Sequence, residues 1–457
     1  MVGVFIFNFI LSINFKIKGI EYFGMKFDKE FFISILISLC TGMGVGLVVG
    51  LYQFGLPYVV EAGNKVFASR EWWVILLNVI TFILLSILNF IIIKNARSVD
   101  SSGIIAINLS LKRDEDIPHK KEIPLMIANS YISSFAGFPL GSEGPSITLA
   151  GKVAAFVNKM FKIKDDDNVK IAFGAGFGAA FISPISGFFY AFEEELHKVD
   201  FKNFVRTVVT MLGMSSLIFF LNHHHSLAFQ KIIFLPLENS FLLFISFALV
   251  IVVAPIFLFI IRRVKVFYIK HDENFIIKYR GFIFFLLMLI LGYTISDFLG
   301  GGDKIIQGSL EYKSIYLLLL LLAFRLALTS IIGNGKVTGG LIIPSLSLGA
   351  LIGAISSLTF ENLIGIDGDY RAYIILLTMC MFFAFISEAP LTALTLFFSN
   401  LMYSTGSFYI FNRASFLGAL LIFSTFLVTK VFKNLPLYDM LVDTEEEFKL
   451  GEKNVKN

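Results

Sequence analysis

The strongest constraint in this chain is a series of apolar runs, each approaching the roughly 20 residues that a helix needs to cross a hydrocarbon core. They include Phe31 to Tyr58, Trp73 to Ile93, Val208 to Leu221, Phe241 to Ile261, Phe282 to Leu299, Ile315 to Ile332 and Phe416 to Val431. No soluble domain fits between them. With 56% hydrophobic and 16% charged residues over 457 positions, and a mean hydropathy of +0.79, an ordinary soluble globular domain is excluded. The expected fold class is an all-α polytopic membrane protein.

Basic residues gather between the runs, at KNAR (94–97), LKRDEDIPHKKE (111–122), KIKDDDNVK (162–170), HKVDFKNFVR (197–206), RRVKVFYIK (262–270) and the tail after Lys430. The positive-inside rule assigns these loops to the cytoplasm. Dispersed in this way, a net charge of +4 offers no surface for nucleic acid. Two apolar segments are then trapped between cytoplasmic flanks: 123–161, broken by GSEGP (141–145), and 171–196, broken by SPISG (183–187). Each half of the second has about a dozen residues, too few to cross the core, so it is expected to enter and return from one side. A single Pro-kinked span is the alternative. Non-helical backbone at that depth is tolerated only against protein or a water-filled cavity, and interrupted helices mark substrate sites in transporters.

The chain also matches itself. GPSITLAGKVAAF (144–156) resembles IPSLSLGALIGAI (343–355), and SPISGFFYAF (183–192) resembles APLTALTLFF (389–398). A Pro-Ser helix start followed by a small-Pro pair recurs in both halves, as a duplicated unit requires. The expected organisation is an N-terminal segment 1–28, read as interfacial, a transmembrane domain 29–440 and a short polar tail 441–457. Repeat one covers about 29–221 and repeat two about 240–440. Met25 is an alternative start, which the mass of the mature chain would settle.

In GSEGPS, Pro145 suits the first turn of a helix whose unpaired N–H groups and positive dipole end form an anion site. GGLIIPS (339–345) repeats the device, and Ser102 in SSGII (101–105) offers a hydroxyl donor near a short helix start. Glu143 stands at the first of these starts. An ionisable residue inside a membrane segment costs about 2.5 to 3.5 kcal/mol on insertion scales, so it implies a use. Ionised, it can occupy the anion position itself; protonated, it loses that attraction and leaves. The bland alternative is a solvated carboxylate in an outer loop.

At these residues the chain resembles the CLC family of chloride channels and chloride/proton antiporters. GSEGP (141–145) looks like the family's GxEGP motif, and GGLIIP (339–344) like its GxFxP segment. FGAAFISPISGFFYAFEEE (177–195) is similar to a stretch ending in paired glutamates, and PLY (436–438) to the tyrosine-bearing start of the last helix. The resemblance covers about residues 29–440. It implies two inverted-topology repeats with broken and re-entrant helices, and a homodimer with one anion pathway per subunit in a lipid bilayer. The expected setting is a bacterial-type inner (plasma) membrane. Chloride and protons are the implied substrates, with no cofactor and no metal. Glu143 corresponds to the external gating and proton glutamate, and Glu194 to the internal proton-transfer glutamate. Ser102 and Tyr438 correspond to side-chain ligands of the central chloride. The amides about Gly141 and Gly144, with those of Leu341 and Ile342, would complete that site. Exchange of chloride for protons is the leading implication, and a passive chloride channel the alternative. The chain ends soon after Tyr438, so the CBS pair of many eukaryotic relatives is expected to be absent.

Three departures from the family pattern bear on the site. Ser142 stands where a basic residue is usual, Ser101 and Ile105 bound the SSGII motif, and Ile342 replaces the usual phenylalanine. Low anion affinity or altered selectivity is therefore expected. Other polar residues read more simply. Glu193 and Glu195 suit helix-end charges at the interface, Trp72 and Trp73 an interfacial anchor, DDD (165–167) a solvated helix approach, and HHH (223–225) a solvated loop. Cys40 and Cys380 lack metal-ligand spacing and read as small core residues. An intramembrane hydrolase is disfavoured, because EEELH (193–197) lacks both the HExxH spacing and a partner nucleophile. The chain is not expected to be an enzyme.

Overall fold

The structure is a computed structural model that describes residues 29–221, 229, 232–295, 299–365, 367–405, 412–432 and 435–456. The N-terminal segment 1–28 and the histidine triplet lie outside the described residues. Among the described residues, eight helical stretches are long and apolar enough to cross a membrane. The first half comprises α1 (Lys29–Val66), α2 (Trp72–Asn95), α3 (Ile104–Lys112), α4 (Glu122–Phe135), α5 (Glu143–Met160), α6 (Asp166–Ala180), α7 (Pro184–Tyr190) and α8 (Phe201–Leu221). A π-helical turn, Ala191–Leu196, continues α7.

The second half repeats the order with α9 (Leu243–Lys270), α10 (Arg280–Ile295), α11 (Asp303–Gly308), α12 (Ile315–Ile332), α13 (Ile342–Ile364), α14 (Arg371–Ser387), α15 (Pro390–Thr405) and α16 (Arg413–Phe432). Pro145 and Pro344 each occupy the third position of α5 and α13, and Pro184 and Pro390 each open α7 and α15. A final helix, α17 (Leu437–Lys456), closes the chain.

Lipid as solvent inverts the usual amphipathic rule. On α2 the residues Asn78, Phe82, Ser86 and Asn89 fall on the inward face, while Leu76, Leu77, Ile80 and Leu84 are exposed. The inward amides are satisfied: Asn78 Nδ2 donates to Val66 O at 2.9 Å, and Asn89 Nδ2 to Lys336 O at 2.9 Å. By contrast α13 is buried through Phe360 apart from Thr359, and α14 along its whole length, which makes them the centre of the fold.

The segment 166–196 forms the re-entrant hairpin. α6 spans only about 22 Å at 1.5 Å per residue, short of a 30 Å core. The chain reverses at Phe181–Ser183, where Ile182 takes a left-handed φ of 50°. The limbs meet at glycines: a Cβ on Gly187 would lie 2.5 Å from Gly174 O. At the open end Lys198 Nζ lies 3.0 Å from Asp167, whose carboxylate holds the Lys198 ammonium above its ordinary pKa by hydrogen bonding. Both ends of the segment therefore share the basic face.

Three expectations change. The DDD run is not simply solvated: Asp165 accepts from Asn168 N at 3.0 Å and pairs with buried Arg206 at 2.5 Å, and Asp167 accepts from Asn203 at 2.9 Å. The boundary at 440 also moves, because α17 runs on with Leu441, Val442 and Thr444 buried. Its acidic face pairs with basic helix ends, Lys112 with Asp443 at 2.8 Å and Lys265 with Glu445 at 3.1 Å. Finally, Glu193 is no loose interfacial charge. It accepts from Leu391 N and Thr392 N, both at 2.8 Å, and so caps the start of α15.

α5 folds back on α4 through a buried ion pair. Lys152 Nζ, fully buried, lies 2.5 Å from Glu122 Oε2, touches Ser98 Oγ and reaches Pro118 O at 3.3 Å. Removing one partner strands the other charge. Lys152→Met is therefore expected to destabilise the protein by about 3–5 kcal/mol, read by thermal unfolding in detergent, with most of the loss recovered in K152M/E122Q. An equal loss in the double variant would mean that packing, not charge, is at stake.

Candidate functional site

Three non-helical segments meet in the interior. Residues 137–142 cross 337–341, where Gly141 N donates to Gly340 O at 2.8 Å and Gly340 N to Gly141 O at 2.7 Å. Beside them, Ser101 N donates to Val337 O at 2.9 Å and Gly339 N to Ser101 O at 3.0 Å. These bridges place the first turns of α5 and α13 together, with the start of α3 alongside. Contact is closest at Gly144, where a Cβ would stand 2.6 Å from Gly340 Cα and 2.8 Å from Ser102 Cβ.

The first intrahelical bonds of the two helices run from Ser146 N to Ser142 O and from Ser345 N to Leu341 O, each at 3.0 Å. The preceding amides of Glu143, Gly144, Ile342 and Ile343 thus have no partner in their own helix turns, and they converge. Each helix terminus carries about half an elementary positive charge, so two together balance roughly one anion.

The Glu143 carboxylate is in place to be that anion. It is buried, with 1% of its surface exposed, beside its own amide and that of Ile343. Oε1 accepts from Ser142 Oγ at 3.2 Å, while Oε2 has no hydrogen-bond partner. Oε2 lies against Gly141 Cα so closely that a Cβ there would fall 2.2 Å away. This revises Gly141: its amide is committed to Gly340, and its contribution is the absence of a side chain.

Ser102 and Tyr438 complete the cluster. Ser102 is buried, and its Oγ is an orphan polar atom. Its carbonyl is held by Thr148 Oγ1 at 2.6 Å, which fixes the residue and leaves the hydroxyl uncommitted. Tyr438, at the start of α17, accepts from Leu341 N at 3.3 Å and lies beside Ser102. The structure thus brings together Glu143, Ser102, Tyr438, Gly144, Leu341 and Ile342, although the Leu341 amide is already turned to the tyrosine. Glu194 stands apart. It lies in the π-helical turn toward the basic face, buried, and Tyr438 is near enough to feel the charges of both glutamates.

Sequence reasoning missed three residues. Gln53 of α1 donates to Ser142 Oγ at 3.1 Å and Ser146 Oγ at 2.9 Å, in place of the basic residue the family usually has. Tyr52 is buried next to it, its charge environment including Glu143. Asp303 at the start of α11 adds a carboxylate whose charge reaches Glu143. The signal for the first was present, since Gln53 is a polar amide within the Phe31–Tyr58 apolar run.

This is the architecture of a polytopic anion-handling membrane protein with paired broken helices. The family model described as voltage gated chloride channel matches residues 82–405, and the chain belongs to that family. H(+)/Cl(-) exchange transporter ClcA of Citrobacter koseri is 24% identical over 340 residues, covering 71% of this chain and 72% of the relative. ClcA of Salmonella paratyphi B is 25% identical over 343 residues, covering 72% of each. Among solved structures, a slow cyanobacterial Cl-/H+ antiporter matches with a TM-score of 0.75 at 19% identity, covering 90% of this chain and 98% of its own. A CLC-type fluoride/proton antiporter matches with a TM-score of 0.71 at 18% identity, covering 91% and 99%.

Because Gly144 meets backbone on one side, a side chain there has nowhere to go. Overpacking of this kind costs about 1–3 kcal/mol, so Gly144→Ala is expected to weaken halide binding by about 5- to 150-fold in calorimetric titration. Wild-type affinity in a monodisperse G144A sample would contradict the site geometry.

Proposed function

We propose that this protein exchanges chloride for protons across a bilayer, gated by Glu143. The reading is carried by one observation: two helix N-termini converge on a buried carboxylate with an unpaired oxygen, next to an unpaired serine hydroxyl. The positive potential of the paired termini suffices for about one anion, so an ionised Glu143 and a chloride ion compete for it. Proton uptake neutralises the carboxylate and releases it. Chloride then takes the amides of Glu143, Gly144 and Ile342, with Ser102 Oγ and Tyr438 Oη as hydroxyl donors. Departure of the anion lets Glu143 lose its proton and return.

On the basic face, Glu194 passes protons between solution and Glu143, with Tyr438 within electrostatic reach of both carboxyls. Relatives described as exchange transporters favour this reading over a passive channel. The basic loops 94–97, 111–122, 162–170 and 197–206 orient that face to the cytoplasm, and the ClcA relatives favour a bacterial inner membrane. A homodimer with one pathway per subunit rests on the family resemblance. Subunit cross-linking in native lipid tests it.

In liposomes with simultaneous chloride and pH recording, Glu143→Gln is expected to abolish coupled proton movement. Unchanged proton pumping in E143Q would remove its proposed role. Glu194→Gln is expected to let chloride move while proton transport drops by about 100-fold or more, the scale of a lost acid–base group. Retained coupling in E194Q would return Glu194 to a merely interfacial charge.

A further inference from the structure

We propose that Gln53 is a positioning residue for the gate: its side-chain amide turns the Ser142 hydroxyl onto the Glu143 carboxylate and so holds that carboxylate in the seat that chloride must take. The inference rests on the proposed gating role of Glu143 and adds the group that latches it. The contacts form one chain. Gln53 Nε2 donates to Ser142 Oγ at 3.1 Å and to Ser146 Oγ at 2.9 Å, and Ser142 Oγ donates to Glu143 Oε1 at 3.2 Å. Ser146 Oγ in turn donates to Ser142 O at 2.9 Å, back across the first turn of α5.

The hydrogens available fix the direction of this chain. Each serine hydroxyl carries one hydrogen and both are committed, that of Ser146 to a carbonyl and that of Ser142 to a carboxylate, neither of which can donate in return. A side chain that serves both hydroxyl oxygens must bring two hydrogens of its own, and the Gln53 amide nitrogen does. Ser142 is the one side-chain donor to Glu143 among the described residues, since Oε2 has no partner. Without the amide, the Ser142 hydroxyl loses the partner that directs its hydrogen to the carboxylate.

The amide is presented from a fixed place. Tyr131 Oη donates to Tyr52 O at 2.8 Å, Tyr52 Oη and Ser130 Oγ lie 2.6 Å apart, and the two tyrosine rings stack with centroids 5.5 Å apart. α1 is seated as closely on α8, where a Cβ on Gly46 would fall 2.6 Å from Met214 O. The titratable groups facing Glu143 are Asp303 of α11, Tyr52 of α1 and Tyr438 of α17, with Arg325 of α12 acting on Asp303. None of these is a cation paired with Glu143, so the seated carboxylate depends on the α5 and α13 amides and on this neutral chain. A hydrogen bond to the ionised form favours that form. Gln53 therefore sets how readily protons release the gate, and how strongly the gate competes with chloride.

Full-length protein in liposomes, with chloride and proton fluxes recorded together across a pH series, tests the latch. Gln53→Leu is expected to reach half-maximal turnover at a proton concentration about 2- to 10-fold lower than wild type, the scale of one ordinary hydrogen bond. In calorimetric titration with chloride, Q53L is expected to bind about 2- to 10-fold more tightly above that transition, and as wild type does below it, where Glu143 is neutral. Both changes are expected to vanish in the S142A background, because the amide then has no hydroxyl to direct. Changes of the same size in that background would contradict the chain, since a merely structural role of Gln53 survives there. An unshifted Q53L profile, with coupling lost in E143Q, overturns the latch alone. Retained coupling in E143Q overturns the gating role on which it rests. Should Q53L fail to fold, Gln53→Met, of similar length and without a donor, decides by the same measurements.

Discussion

The structure depends on holding two helix N-termini against each other in a membrane interior. Left alone, two positive dipole ends repel, and their free amides are costly away from water. Reciprocal hydrogen bonds between Gly141 and Gly340 clasp the entering strands, and the Ser101–Thr338 bridge fixes the third segment. What then relieves both repulsion and unsatisfied amides is a negative charge at the junction. Glu143 places a carboxylate there, and in the proposed mechanism a free anion replaces it. Local glycines follow from the same constraint, because Gly141 and Gly144 stand where any Cβ would meet the carboxylate or the opposing backbone.

The electrostatic design differs at the two ends of the pathway. Near Glu143, Ser142 and Gln53 supply neutral hydrogen bonds, and Asp303 adds a carboxylate whose charge the buried Arg325 offsets. In the proposed site an anion relies on the helix termini and hydroxyls. On the basic face Glu194 feels the charges of Glu195, Glu388 and Asp439, and Glu388 is paired with Lys430. The proposed anion position and the proposed internal proton glutamate thus stand in differently charged surroundings.

Much of this was legible in the sequence because broken helices in a membrane leave plain marks. The GSEGP and GGLIIP starts, their spacing, and the basic flanks around 171–196 located the helix junction and the returning hairpin. The self-match between 144–156 and 343–355 paired the two halves. What the sequence could not carry was contact across distance. Gln53 stands out as an amide in an apolar run, but it lies 89 residues from Ser142 and its sequence does not say which residue it meets. Glu193 looked like one of three interfacial charges until α15 was seen to begin against it. Asp165 and the acidic face of α17 looked solvated because their cationic partners, Arg206, Lys112 and Lys265, lie in other helices. Nor could the motif reveal that the Gly141 amide is spent on Gly340 rather than left for an anion.

The most direct measurement of the central claim uses the unaltered protein. Reconstituted in sealed liposomes under an imposed chloride gradient, it should drive protons uphill against their own gradient, at a rate that follows chloride movement in the opposite direction. Chloride flux with no uphill proton movement would contradict competition between Glu143 and chloride for one shared position as a means of coupling.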